Sequence, residues 1–453
     1  MNHNSISTMI IALMLGFTAQ AQVSFQGNNK PVYEETPAKS TGVNKIYVLY
    51  NTGGVSMNYT ASSSTAAVTW YTYGERGGGY AEQLTGVSRN GNVTTLAQVI
   101  PNTGYMIEEG INRTFVWVVN YADYRLDMRS IVAEPASDCG TVTLDVQGQA
   151  KDLGYYTING VHQVLDRQLK IHYNTLAWSD ESTQWVQVDT VENEEVFKPV
   201  VVLPAPLCNS MFRISGDRFL EFWDEGIVLE SGLYETHAVD VHTTAVQEKR
   251  DNNNEKGNQG NEGSLGGSAP ANITFTAHCT DAVAHKEWQM ASDADFSNIV
   301  LRLNNEVVEQ TFEEAGTYYW RFIGSNADGS CEALSETYTV NIGESELVCP
   351  NVFTPGSTEG VNDEWKVSYR SIVEFHCWIF NSWGNQIIEL SDPGQGWDGT
   401  YKGKLVDPGV YYYVLQAKGS DGKKYKLSGD INIIRYKKNP LGTGSTTGVP
   451  GGQ

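Results

Sequence analysis

The sequence predicts an all-β protein built from several β-sandwiches in series. Three observations carry this. Glycine (45) and tyrosine (24) are abundant while charged residues make up only 19%, a balance that suits pleated surfaces and tight turns. Short runs alternate between apolar and polar positions and are cut by Gly and Asn turns, the pattern of half-buried strands. A length of 453 residues with 40% hydrophobic content gives room for about three or four packed domains. The net charge of −22 repels phosphate backbones, so no nucleic-acid partner is expected.

The elements follow in order. Residues 1–21 read as a signal peptide: Ile10 to Phe17 is an apolar run and Ala19-Gln20-Ala21 fits a small-residue cleavage site. That run is too short to cross a bilayer and no other segment is long and apolar enough, so the chain is not expected to span a membrane. Residues 22–135 form a first sandwich, with strands at Lys45–Tyr50, Ala66–Tyr73 and Thr114–Tyr121. Residues 136–247 form a second, with strands at Gly140–Val146, Leu169–Tyr173, Trp185–Val188, Arg218–Trp223 and Tyr234–His242. Its most apolar strand, Val200–Leu203, is bounded by Pro199 and Pro204. Residues 248–268 are polar and Gly/Asn-rich and read as a flexible linker. Residues 269–344 read as a compact immunoglobulin-like domain, with Cys279, Trp288 and Cys331 in its span and a strand over Glu314–Phe322. Residues 347–439 form a last domain, and 440–453 is a Gly/Thr/Pro tail with nothing to bury.

Export makes the cysteines informative. An even count of six, Cys139, Cys208, Cys279, Cys331, Cys349 and Cys377, suggests three disulfides in an oxidising compartment. About fifteen pairings are open. Domain locality favours Cys139–Cys208, Cys279–Cys331 and Cys349–Cys377, each closing a loop worth about 3.5–4.5 kcal/mol. No CxxC spacing occurs, so neither a thiol redox centre nor a cysteine zinc site is expected.

The last domain differs in kind. From Leu347 to Asn439 eleven Lys/Arg face ten Asp/Glu, leaving about −23 on the rest. Its motifs come in a fixed order. Asn351, Phe353 and Pro355 lie in the opening Pro350–Pro355 run, and Asn362 and Asp363 follow in Gly360–Trp365. Trp383-Gly384 closes a strand, Trp397-Asp398-Gly399 follows, and Pro408-Gly409 opens a Tyr-rich strand that includes Tyr411. Asp421-Gly422 sits between two alternating runs, a hairpin signal. Alternation puts Val410, Tyr412 and Val414 on one face and Tyr411, Tyr413 and Leu415 on the other. Trp365, Trp383 and Trp397 are expected as core or loop anchors.

These motifs resemble the gliding-motility-associated C-terminal domain, the type B sorting domain of type IX secretion substrates in Bacteroidetes. The resemblance implies a β-sandwich sorting domain, export into the periplasm and then across the outer membrane, and a secreted or cell-surface location. The implied partners are the outer-membrane translocon with its shuttle and attachment proteins. Some proteins of this kind, the PorA-type proteins, signal secretion status. In this sequence Gly356-Ser357-Thr358-Glu359-Gly360 stands where the family has an Asn-Gly-Asp-Gly turn.

No chemistry stands out. The serine-hydrolase elbow, the HExxH zinc motif and the Walker loop are absent. His237 and His242 have odd spacing along a strand, which suits no shared metal. Asp224-Glu225 and Glu194-Glu195 could pair as glycosidase carboxylates only if folding gathers them. The calcium-like run at Asp251, Asn253 and Glu255 has its glycine, Gly257, one position late. No cofactor, metal or catalytic residue is expected. The reading is a non-enzymatic binding, structural or secretion-signalling protein. The alternatives are a secreted hydrolase, or an adhesin for cell-surface polysaccharide or environmental glycans using Trp70, Tyr71, Tyr73 and Tyr80.

Overall fold

Alternation of apolar and polar side chains becomes strand structure along much of the described chain. A computed structural model describes residues 23–135, 138–257, 264–357 and 360–434. The signal peptide and the C-terminal tail lie outside these residues. The chain divides into two compact units, one running to Thr175 together with Gln187–Thr236, the other comprising Leu176–Val186 and the residues from His237 onward.

The first unit holds two sandwiches. The first packs a four-stranded sheet (Val23–Gln26, Ser56–Thr60, Val93–Leu96, Val87–Asn90) on a six-stranded one. In the latter, Lys45–Leu49 runs parallel to Asn112–Asn120. Tyr47, Leu49, Met57, Trp70 and Ile107 fill the space between the sheets. The opposite face of the same strand, Ile46 and Val48, enters a second core with residues of the next sandwich. Burial on both faces explains why Ile46–Leu49 is a continuous apolar run rather than an alternating one.

The second sandwich includes a three-stranded sheet of Asp127–Pro135, Thr141–Gln149 and Val200–Pro204. Val200–Pro204 is an edge strand: Val201 and Leu203 are buried while Val200 and Val202 are exposed. Two expected strands take other forms. Arg218–Phe222 is a short α-helix, because Asp217 caps it by accepting from the Leu220 N–H at 2.9 Å. Phe219, Leu220 and Trp223 then meet the core from one side of the turn. Tyr234–His242 is not one strand. Tyr234 bridges Ser210, whereas Val241–Gln247 pairs with Ala271–Cys279 and so opens the third sandwich.

In the second unit, the third sandwich packs Val241–Gln247, Ala271–Cys279 and Val307–Phe312 against a sheet centred on Gly316–Ser325 and His285–Ala291. Phe275 stacks on Trp320 at 4.5 Å and 9°, beside the fully buried Trp288. The linker expectation is corrected here. Leu265–Gly267 is a strand parallel to Tyr338–Ile342. Arg250 donates to the Ser268 carbonyl at 2.8 Å and pairs with the buried Glu255 at 2.7 Å. Asn254 donates to the carbonyls of Val367 and Pro393, both at 2.8 Å. A polar segment is held by hydrogen bonds where its composition offers no apolar surface. Residues 258–263 lie outside the described residues.

The last domain is a five-stranded sheet in the order Val352–Phe353, Lys424–Ile433, Gly409–Gly419, Ile372–Phe380, Gln386–Leu390. A hairpin of Thr400–Tyr401 with Lys404–Leu405 and a pair of Glu346–Val348 with Ser368–Arg370 complete it. Its core contains Phe353, Trp365, Cys377, Ile379, Trp397, Leu415 and Ile431.

Candidate functional site: the C-terminal domain

The motif residues of this domain build its frame from the backbone outward. The Asn351 carbonyl accepts from the Asn432 backbone N–H at 2.9 Å and side chain at 3.1 Å, which docks Val352–Phe353 beside the last strand. Phe353 is fully buried against Trp397, with ring centroids 5.4 Å apart. Trp365 and Trp397 exchange two backbone hydrogen bonds at 2.8 and 2.9 Å, and both indoles are fully buried. Each indole N–H finds a carbonyl, Pro350 at 2.6 Å and Thr400 at 2.9 Å, as buried donors must.

The acidic motif residues are turn clips. Asp363 accepts from the N–H groups of Gly356 (3.1 Å) and Gly360 (2.7 Å). Thr354 N–H reaches the carbonyl of Asn362, which adopts φ +54°. Asp398 accepts from the Thr400 N–H and hydroxyl at 2.9 and 2.7 Å. The adjacent Gly399 has φ +75°, and a Cβ there would lie 2.9 Å from Pro355. Tyr411, after the Pro408-Gly409 step, donates to the Asp407 carbonyl at 3.0 Å and lies 5.2 Å from Trp397. At Asp421-Gly422, Asp421 accepts from the Ser345 hydroxyl at 2.8 Å and the Lys423 N–H at 3.1 Å. Burial opposes its ionisation, but these hydrogen bonds outweigh it and hold the carboxyl below the usual range.

Trp383 departs from the expectation of an anchor. Its side chain is 87% exposed. The turn beneath it is well bonded: Asn381 Oδ1 accepts from the N–H groups of Trp383 (3.0 Å) and Asn385 (2.9 Å). Val410, Tyr412 and Val414 share the outer sheet face and are exposed, while Tyr413 and Leu415 point inward. Lys424 and Lys426 lie on a strand paired along one side, because Val352–Phe353 covers only its end at Asn432 and Ile433. That placement suits a charged edge that resists strand pairing.

The disulfide expectation is corrected. Cys139 and Cys331 are the cysteines in disulfide linkage. Cys208 donates its thiol to the Asn174 carbonyl at 3.7 Å. Cys279 keeps a thiol that burial pushes up to about 11. The locality pairings Cys139–Cys208 and Cys279–Cys331 are therefore not made. Cys331 sits in a turn clasped by Asn326, whereas Cys279 ends a strand. Cys349 and Cys377 are also thiols, not the expected disulfide. Both lie at the domain core, where Cys349 shares a hydrogen bond with Tyr413. Burial, and then the Cys349 neighbour, push Cys377 up to about 12.

Elsewhere the carboxylate pairs serve structure. Glu225 is held down to about 2 by hydrogen bonds from Lys30 first, then Tyr50 and Arg125. A carboxyl so depressed is a poor proton donor at neutral pH. Glu194 pairs with Lys198 at 2.6 Å. The expected aromatic platform is not assembled: Trp70 and Tyr73 are buried, and only Tyr80 is strongly exposed, with Arg76 5.3 Å over its ring. Among the described residues no three His, Cys, Asp or Glu gather as a metal site, and no helix is long and apolar enough to cross a membrane.

Sequence reasoning missed a buried charge network. Arg167 and Asp217 are fully buried and ion-paired, and Tyr121 donates to both Asp217 oxygens at 3.1 and 3.0 Å. Burial, and next the Asp217 carboxylate, push the Tyr121 phenol well above its ordinary range. The only signal in the sequence was Asp217 standing where a helix cap belongs.

Residues 347–433 match the CHU_C type IX secretion signal domain, and residues 131–231 match the fibronectin type III domain. The chain thus carries a C-terminal sorting signal and is a secreted or cell-surface protein of tandem β-sandwiches. No curated protein matches it in sequence. Similar solved structures include a tetra-tandem repeat from the extending region of a large adhesion protein. It is 10% identical, at TM-score 0.22, over 84% of this chain and 96% of that one. The FN1–FN3 domains of chicken CNTN1 are 12% identical, at TM-score 0.24, over 68% and 98%. Three N-terminal domains of the bacteriophage RB49 outer capsid protein Hoc are 9% identical, at TM-score 0.21, over 70% and 99%.

Proposed function

We propose that this chain is a non-enzymatic surface protein whose sandwiches serve binding, structural or secretion-signalling work outside the cell, and whose C-terminal domain is its export signal. The match of residues 347–433 to a secretion signal domain carries the reading, because that span coincides with a sheet and core of its own. Support for a non-catalytic role comes from the use made of polar groups. Asp363, Asp398 and Asp421 clip turns, Asp217 caps a helix, and Glu225 is tied up by three partners. None is left poised as an acid, base or nucleophile of the kind a hydrolase needs. The partners of such a protein are the outer-membrane translocon with its shuttle and attachment proteins.

The test is fractionation of cells expressing the full chain beside one shortened to Glu346, probed in periplasm, cell surface and medium. Trapping of the shortened chain in the periplasm supports the reading. Equal delivery of both chains overturns it.

A further inference from the structure

We propose that the Asn381–Asn385 turn, with Trp383 at its apex, and the groove beside it form the surface by which a protein of the outer-membrane export machinery reads this domain. The inference rests on the export reading above and names the part of the domain that does the work.

Trp383 is the anomaly that starts the argument. Trp365 and Trp397 of the same domain are fully buried, and Trp378 is half-buried with His376 stacked 5.8 Å away. Trp383 alone among them is 87% exposed. An indole held in water is a standing loss of apolar burial, recovered when a partner covers it. It is not a loose loop residue. Asn381 fixes the turn through two side-chain bonds, and its own N–H reaches the Asn385 carbonyl at 3.0 Å while its carbonyl accepts from Gly384 at 3.0 Å. Gly384 takes φ +81° with open space around its Cβ position. The backbone therefore presents the indole in advance, which lowers the ordering cost of binding.

Next to the turn is an open groove of about 690 Å³ between the start of Gln386–Leu390 and the Thr400–Leu405 hairpin. Tyr401 and Leu405 supply exposed apolar wall, at 38% and 50%. Asn385, Gln386, Lys404 and Asp407 add polar groups of both signs. An aromatic anchor beside apolar wall and a mixed polar rim is the anatomy of a protein–protein contact.

The geometry points to a folded protein as the occupant. Trp383 is not part of the groove lining. It stands at the rim as a protruding knob. A saccharide held in this groove would stack on an aromatic ring of its lining, and the Trp383 indole is not there. A knob beside a groove interlocks instead with a surface that offers both a socket and a ridge. The whole arrangement falls inside the residues that match the secretion signal, and a signal carried by a folded domain must be legible on its outside.

The test uses the full chain with Trp383→Ala, Trp383→Phe and Leu405→Asp, fractionated beside wild type and the chain shortened to Glu346. Both positions are exposed, so purified proteins should melt with wild type and show that folding is intact. The expected result is a drop of about tenfold or more in surface and medium for Trp383→Ala and Leu405→Asp, with recovery in Trp383→Phe. Normal delivery of both variants while the shortened chain stays trapped overturns this surface and leaves the export signal elsewhere on the domain. Delivery of the shortened chain itself overturns the export reading, and this inference with it. Normal delivery of Trp383→Ala combined with loss of retention on cell-surface polysaccharide would make the knob a sugar contact and also overturn the proposal.

Discussion

At the scale of single residues, two charged groups show how the fold handles polarity. Asp217 does three tasks: it pairs with Arg167, accepts from Tyr121 and caps the helix at Arg218–Phe222. Removing it would leave a guanidinium buried without its counter-charge. Asp217→Ala is expected to cost about 3–5 kcal/mol, read as a lower urea midpoint with an unchanged slope. Arg167→Ala should cost a similar amount, and the double variant less than the sum, since the two share one interaction. Glu225 gives a pH signature instead. Its folded value, about 2, lies below the ordinary 4.5. A depressed carboxyl contributes stability that is present above pH 4.5 and is lost as pH falls towards 2. Glu225→Gln is therefore expected to lower stability at neutral pH and to flatten the acid limb across that window, the two proteins converging as pH falls towards 2. Thermal melts in a series of buffers would show it, and an unchanged acid limb would refute the role given to Glu225.

At the scale of elements, the glycines of two turns make a paired prediction. Gly399 and Gly384 both need left-handed backbone, at φ +75° and +81°. Only Gly399 is also crowded: a methyl carbon added there would lie 2.9 Å from Pro355, whereas one added at Gly384 would meet nothing within 4 Å. Gly384→Ala should cost about 1 kcal/mol from conformation alone, and Gly399→Ala roughly 2 kcal/mol or more once contact is added. Equal melting shifts would remove steric contact as the cause. The same elements show what periodicity can and cannot reveal. Gly409–Gly419 was readable because one face meets Trp365 and Trp397 and the other meets water, so burial imposes a period of two. Arg218–Trp223 misled because its aromatic residues suit a strand by type, while a single side-chain cap at Asp217 decides for a helix. Trp383 was unreadable as exposed, because composition says that an indole is large and apolar but not which way a turn aims it. The segment 248–268 was unreadable for the opposite reason. The order of its described residues comes from Arg250, Asn254 and Glu255 finding specific partners, and no apolar pattern encodes that. Locality failed for the cysteines because loop length says nothing about where two sulfurs end up in space.

At the scale of the molecule, the C-terminal domain is less separable than its sequence boundary suggests. The core is its own, yet the polar segment that follows the first strand of the third sandwich ties into it. Lys256 N–H donates to the Tyr369 carbonyl at 2.7 Å, and Asn252 reaches the Tyr369 hydroxyl at 3.1 Å. Ser371 N–H donates to the Ser268 hydroxyl at 2.7 Å, and the Ser371 hydroxyl accepts from Ala269 N–H at 3.1 Å, both of them buried. Ala315 N–H reaches the Ser420 carbonyl at 3.1 Å. These are ordered contacts between polar groups, and cutting the chain at Glu346 leaves their partners exposed to water or unpaired. A fragment from His237 onward is therefore expected to unfold in one cooperative transition. A fragment beginning at Leu347 should melt several degrees lower, since each lost buried hydrogen bond costs on the order of 1 kcal/mol. Asn254→Ala in the longer fragment, which removes two bonds at once, should move its transition part of the way towards that of the shorter one. Calorimetry of the three proteins decides the matter. Two separate transitions in the longer fragment would mean that the sorting domain folds independently of the sandwich that precedes it.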